Sequence, residues 1–345
     1  MMIRMLKRKE KRRALGLEED KRMFQYKKIT PIRKRRSKTA QEILDRLNYF
    51  LEYETEEPAK ILYSMWSDQQ KAVTYKELRE CILNGEITPE MFSEWQHDYS
   101  KIVAAEFGTI WATAALAGSK GQPLMDSFAD TFSINLTQPG IRNWLDSRAA
   151  SFITNCSEIQ RDAINALIRK GLSEEMGNDE LARVIRPCIG LTRGQAAAVK
   201  RFYDNMKNSL HEHHPRMKRS NIEKKSMEAS IKYAARLHRD RAFVIAQTET
   251  AYAYAQGTHE MMLQAQAAGL IGHLKKRWVT SGDDNVCAEC GALNGMELEM
   301  NGTFADGKKE LFSGASQLPP LHPRCACCIE YIEVNEEGDK NVPVF

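Results

Sequence analysis

The stretch VCAECGALNG at 286–295 decides how this 345-residue chain is read, together with its counterpart PPLHPRCACC at 319–328. The two hold five of the eight cysteines, Cys287, Cys290, Cys325, Cys327 and Cys328, with His322 beside them. Metal binding, disulfide formation and catalysis are the three chemistries that crowd thiols in this way. Cys287-x-x-Cys290 is a chelating turn, because two intervening residues let both thiolates reach one tetrahedral ion at about 2.3 Å. His322-x-x-Cys325 repeats that spacing, and Pro323 stiffens the second turn so that less entropy is lost in presenting both ligands. Thirty-one residues separate Cys290 from His322, so the loop between them is an excursion that a metal would close at its base. Cys327 and Cys328 are extra thiols, and either could replace a first-choice ligand.

A Cys3His set leaves no open coordination position, so the expected metal is a structural Zn(2+) held by Cys287, Cys290, His322 and Cys325, with Cys327 as the alternative ligand. Disulfides fit less well if the chain is made in a reducing cytoplasm. A zinc deaminase needs an upstream H-x-E and a P-C-x-x-C, but Val286 precedes Cys287, and neither Glu212 nor Glu260 has suitable spacing. A thioredoxin-type thiol pair lacks its βαβ setting. The glycine-rich texture after Lys276 is too poor in apolar residues to bury a large core unaided, so a staple there has a physical purpose.

Outward from this module the chain is helical and polar. Hydrophobic content of 42% and charge of 28% describe an ordinary globular composition. No run of about 18 apolar residues suggests a membrane span, and the basic N-terminus lacks the apolar stretch of a secretory signal. The net charge of +4 hides an asymmetry. Residues 1–38 hold 16 Lys or Arg against 4 Asp or Glu, leaving an acidic remainder. Two dense runs, Lys7, Arg8, Lys9, Lys11, Arg12 and Arg13, then Arg33, Lys34, Arg35 and Arg36, make an arm suited to neutralising phosphates of double-stranded DNA without reading its sequence. A solvated tail, or an arm against an acidic protein surface, is the plainer alternative.

The expected fold is mainly α with a small C-terminal α+β, zinc-knuckle module. It divides into a basic arm (1–38), an N-terminal helical region (39–120), a helical core (121–275) and the Cys/His module (276–345). Ile43, Leu44, Leu47 and Leu51 recur at helical steps. Thr74 and Glu77 form a capping-box pattern closed at Asn84-Gly85, and Thr88-Pro89 opens the next helix. Residues 118–123 read as a linker. Helical segments follow at 141–156, 158–171, 179–189, 192–210 and 227–268, with a loop or frayed helix end across 207–226. Cys81 and Cys156 read as small core residues, and His211, His213 and His214 as a surface loop. Short strands are expected near 278 and over 328–334.

One ordered set of short motifs resembles a known family. Trp278-x-Thr280-x-x-Asp283, Cys287-x-x-Cys290, Gly295, and Pro319-Pro320-x-His322-Pro323-x-Cys325-x-Cys327 follow the C-terminal signature of Mu F-like phage head-morphogenesis proteins. Arg241, Ile245, Ala246, Thr248, Glu249 and Thr250, and upstream Gly190-Leu191-Thr192 with Gln195, look like the helices that precede it. The resemblance covers roughly 180–332, and Cys328 is an addition to the pattern. It implies a minor head protein of a tailed phage, with no catalytic activity. Such a protein associates with the portal vertex and with capsid or scaffold proteins in the host cytoplasm, and ends in the virion head interior. Some members contact packaged DNA. A Glu in a helix near Arg239 and Arg241 is ordinarily a surface ion pair of small value; as part of the motif, Glu249 would instead bond the cysteine module or an internal Arg. The rival reading is a zinc-supported nuclease of the His-Asn-His kind with His322 catalytic. That requires a helix after the strand that follows His322, where the sequence has an acidic tail.

Overall fold

The computed structural model describes residues 36–283, 286–304 and 317–334. The arm cations Lys7, Arg8, Lys9, Lys11, Arg12, Arg13, Arg33, Lys34 and Arg35 lie outside the described residues, as do 305–316 and 335–345.

The N-terminal helices follow their caps. α1 (Lys38–Glu54) starts at Ser37, whose hydroxyl accepts from the Ala40 N–H at 2.9 Å, and buries Ile43, Leu44, Leu47 and Leu51 on one stripe. α2 (Glu56–Ala72) follows after one residue. α3 (Tyr75–Asn84) carries the reciprocal Thr74–Glu77 capping box and ends at Gly85, whose φ of 80° only glycine adopts without strain. α4 (Pro89–Ile102) begins at Thr88, and one π-helical turn over Val103–Phe107 joins it to α5 (Gly108–Gly118). α6 (Pro139–Ser173) runs unbroken where two segments were expected, and Ser157, buried at the expected break, satisfies its hydroxyl on the Ile153 carbonyl at 2.7 Å. α7 (Asn178–Ile185) and α8 (Arg193–His213) lead to α9 (Arg219–Ala267), whose 49 residues span about 74 Å.

α9 is the spine. Its beginning lies on α8, with Tyr233 stacked on Phe202; its middle lies on α2, with Trp66 against His238 and Arg241; its later part lies on α5 and α1. The loop expected across 207–226 shrinks to 214–218, because Ile222, Ser226, Ser230 and Ala234 are buried at four-residue steps. Three of those four are small or polar, so their helical stripe carries little hydrophobic signal. At the other end α5 and α9 cross backbone to backbone. A Cβ on Gly257 would overlap the Ala115 backbone, and one on Gly118 the Tyr254 backbone. Residues 118–123 are accordingly packed: the buried Gln122 side chain donates to the Ile329 carbonyl at 2.8 Å and accepts from the Tyr331 N–H at 3.3 Å.

The motif residues of the helical region bind the fold from inside. Arg241 donates to the Gly190 carbonyl and lies 5.0 Å from the Trp66 ring. Gly190 adopts φ 90° with Trp66 packed where a side chain would sit. Thr192 and Gln195 form a second capping box that starts α8. Glu249 is no surface pair. It is buried against Arg148 of α6, bonded through both carboxylate oxygens, one at 2.7 Å, with the guanidinium 4.6 Å from the Tyr252 ring. Burial opposes the Arg148 charge, and the Glu249 carboxylate outweighs it. A pair this enclosed enforces one register of α6 on α9, since losing either partner strands a buried charge.

The C-terminal part is a three-stranded antiparallel sheet in the order β2-β1-β3, built from β1 (His273–Val279), β2 (Glu297–Glu299) and β3 (Cys328–Val334). A short α10 (Ala288–Leu293) lies between β1 and β2. Arg277 ties the strands across one face, to Glu297 at 2.6 Å and Glu330 at 2.9 Å, and Ser37 at the head of α1 donates to Glu330 at 2.8 Å.

The α5–α9 crossing gives a stability test. Gly257→Ala is expected to cost about 1–3 kcal/mol by overpacking. Gly194→Ala, at an open helical position, is expected to be neutral or slightly stabilising. Thermal unfolding of the two variants measures the difference, and equal effects would refute the close crossing.

Candidate metal centre

The first cysteine pair is placed by β1 and α10. Cys287 is the N-cap of α10, and its sulfur accepts from the Cys290 N–H at 3.3 Å, so capping and chelation use one geometry. The chain then folds back onto β1: Gly295, at φ 83°, donates to the Trp278 carbonyl at 2.8 Å, and Trp278 donates to the Met296 carbonyl at 3.0 Å. This explains why Trp278 and Gly295 accompany the cysteines in the sequence.

The second pair is placed by a turn before β3. The Cys325 N–H donates to the His322 carbonyl at 3.1 Å, with Arg324 between them at φ 62°, a left-handed conformation uncommon outside glycine. His322 Nδ1 lies 2.9 Å from the Pro323 carbonyl. Nδ1 is placed to donate to that carbonyl, and Nε2 faces the thiols, the orientation that a metal-binding imidazole needs.

The ligand atoms converge on Cys290. His322 Nε2 is 3.1 Å from the Cys287 sulfur and 3.3 Å from that of Cys290, and the Cys290 and Cys325 sulfurs are 3.7 Å apart. Cys287, Cys290 and His322 form one triad and Cys290, Cys325 and Cys327 another, each with its ligand atoms within 4.8 Å of one another. A tetrahedral ion with bonds of about 2.3 Å to sulfur and 2.0 Å to nitrogen has edges of about 3.8 Å between sulfurs and about 3.5 Å between sulfur and nitrogen. The three separations are close to those edges, so each triad supplies three corners of such a site; the two share Cys290, and Cys325 groups with Cys327 and not with Cys287 and His322. All eight cysteines are free thiols. Hydrogen bonds from the Cys290 and then the Cys327 thiol hold Cys325 far below the usual thiol range, while Cys290 and Cys327 are pushed up, so the three thiols favour a single thiolate at Cys325.

Cys328 falls in neither triad. Adjacent strand residues face opposite ways, and Cys328 packs instead with Ile43, Leu44, Leu47 and Tyr254. Cys81, Cys156 and Cys188 are likewise buried core thiols, the last two pushed up by burial. His211, His213 and His214 are exposed at the end of α8. Arg36 spends its guanidinium on Gln41 at 2.8 Å and on the Ser281 carbonyl, beside the turn after β1. Among the described residues His322 leads into β3, with no helix after the strand.

Two buried titratable groups beneath the sheet have no motif to announce them. His259 of α9 lies 2.9 Å from the Tyr331 hydroxyl of β3, and burial with the nearby Lys276 charge holds it down to about 3. Lys276, fully buried on the apolar face of β1 between Leu274 and Trp278, donates to the Gln317 carbonyl at 3.2 Å. Burial lowers it to about 8. The alternation of β1 offered the one available signal, since it turns Lys276 inward.

A helical body closed by a cysteine–histidine-clustered sheet is a scaffold that carries a candidate metal centre. Residues 162–330, from within α6 to β3, match the family described as Phage Mu protein F like protein. This part of the chain belongs to that family, which is one of structural phage head proteins, and the protein is phage head-related. No curated protein and no solved structure matches the chain. No described helix is long and apolar enough to cross a membrane.

His259 sets an acid limb of stability. Unfolded, it binds a proton near pH 6.5; folded, only near pH 3. Stability from this group is therefore present above pH 6.5 and falls as pH drops through that window. His259→Gln is expected to flatten the decline between pH 6 and 4 by about one proton's worth, as denaturant titrations across pH would show. Parallel curves for variant and parent would contradict the assignment.

Proposed function

We propose that the protein is a minor head component of a tailed phage, a structural piece and not an enzyme. It associates with the portal vertex and with capsid or scaffold proteins during assembly in the host cytoplasm and remains in the virion head interior. One observation supports this reading above the rest: the family match ends within the strand that the cysteine–histidine cluster closes, so the same residues carry the family likeness and the site.

In this reading Cys287, Cys290, His322 and Cys325 hold one structural Zn(2+), with Cys327 as the alternative ligand. Bound, the ion contributes folding free energy by joining α10 to the turn before β3. Four protein ligands leave no position for substrate or water, which suits a staple. The helices supply the protein contacts, and the arm through Lys7–Arg13 and Arg33–Arg35 supplies sequence-independent contact with double-stranded DNA, Arg36 being engaged within the fold.

Protein purified without chelator is expected to hold about one zinc per chain by elemental analysis. Cys290→Ser, which removes the thiol common to both triads, is expected to lose it. Cys327→Ser is expected to keep it, and Cys325→Ser to keep part through Cys327. Co-sedimentation with the portal protein tests the assembly role, and no association between well-folded components would contradict it.

A further inference from the structure

The first half of α9 carries charge that the fold does not use. From Arg216 to Arg239 the sequence holds eight Lys or Arg against two Glu. The first turn of α9 contains no acidic residue, and Lys218 is its N-cap. A helix N-terminus favours carboxylates, so cations gathered here oppose the macrodipole and are not explained by helix stability.

Lys218, Lys225, Lys232 and Arg239 recur at seven-residue steps, and all four are exposed. Seven-residue steps drift by only about 20° each, so the four form one slowly winding row. The row is about 32 Å long. Ser226, Ser230, Ala234 and His238 are buried on the opposite side. Arg219 is paired with Glu223 at 3.0 Å, whereas the four cations of the row make no ion pair among the described residues. Arg236, exposed over the Tyr233 ring at 5.1 Å, adds a fifth charge. Glu228 and Asp240 are the exposed acids that flank it.

We propose that this face of α9 is a second polyanion-binding surface, fitted to the phosphate backbone of duplex DNA and acting independently of the N-terminal arm. Charge complementarity selects the occupant. A row of one sign, evenly spaced and unpaired, matches a lattice of phosphates and reads no sequence. An acidic protein would be bound through an aromatic or aliphatic anchor at the centre of the contact; the exposed Ile231 lies about 100° round the helix from Lys232, to one side of the row and not within it. The inference rests on the DNA-contact part of the proposed function, and the two separate because arm and helix can be varied one at a time.

The test uses the full chain with Lys218, Lys225, Lys232 and Arg239 all changed to Gln, which has similar helix propensity. A second full-length protein has its arm cations changed to Gln. Anisotropy with a fluorescent duplex of about 30 base pairs is followed from about 50 to 200 mM NaCl. Neutralising the row is expected to weaken binding and to flatten the slope of log K against log salt by up to about 3.6, with circular dichroism unchanged. The arm variant is expected to retain salt-dependent binding through the row. Unchanged affinity and slope in the row variant would overturn the proposal while leaving the arm's role intact. So would loss of portal co-sedimentation with DNA binding unaltered, which would assign the row to an acidic protein. Failure of the parent protein to bind duplex at low salt would overturn both readings.

Discussion

The convergence of soft ligands on the Cys290 sulfur is the constraint on which the C-terminal module depends. A three-stranded sheet is marginal on its own; this one shares a buried core with α9 through Trp278, Ile329, Met261 and Met262, and the excursion between its strands returns to that core at Leu318 and Leu321. Here one turn presents Cys287 and Cys290 and a second presents His322 and Cys325, and the two turns meet at sulfur–sulfur and sulfur–nitrogen separations of 3.1–3.7 Å. Each turn is shaped by backbone hydrogen bonds before any ion is considered, through Gly295 on Trp278 and through Cys325 on His322. The site is thus organised by the fold on both sides.

That module is joined to the helical body at several independent points. Gln122 clamps the backbone of β3, His259 meets Tyr331, and Ser37 meets Glu330. α9 links these contacts to the rest, because its second half passes under the sheet while its first half runs out along α8. The buried Arg148–Glu249 pair and the Arg241–Gly190 contact fix α9 against α6 and against the turn before α8. Motif residues that look functional in a linear sequence are here fasteners: they capture backbone carbonyls or opposite charges inside a helical scaffold. Such rigidity suits a component that must present surfaces to larger assemblies.

Much of this was legible in the sequence where chemistry is local. The Thr74–Glu77 box, the Thr88-Pro89 start and the Cys287-x-x-Cys290 turn each express their structure within four residues, and the structure has them, whereas His322 and Cys325 fall in different triads. Long-range facts were hidden. Glu249 finds its partner 101 residues away on α6, so its neighbours Arg239 and Arg241 misdirected the reading to a surface pair. The start of α9 was lost because serine and alanine line its buried side, and residues 118–123 looked like a linker because glycine serves close packing as well as flexibility. The role of Cys328 needed strand alternation, which turns it toward α1 and leaves Cys327 with the cluster.

X-ray absorption at the zinc edge of the intact protein tests the central claim most directly. The account predicts a first shell of three sulfurs at about 2.3 Å and one nitrogen at about 2.0 Å. A shell made of oxygen and nitrogen alone, or no tightly held zinc in well-folded protein, would contradict it.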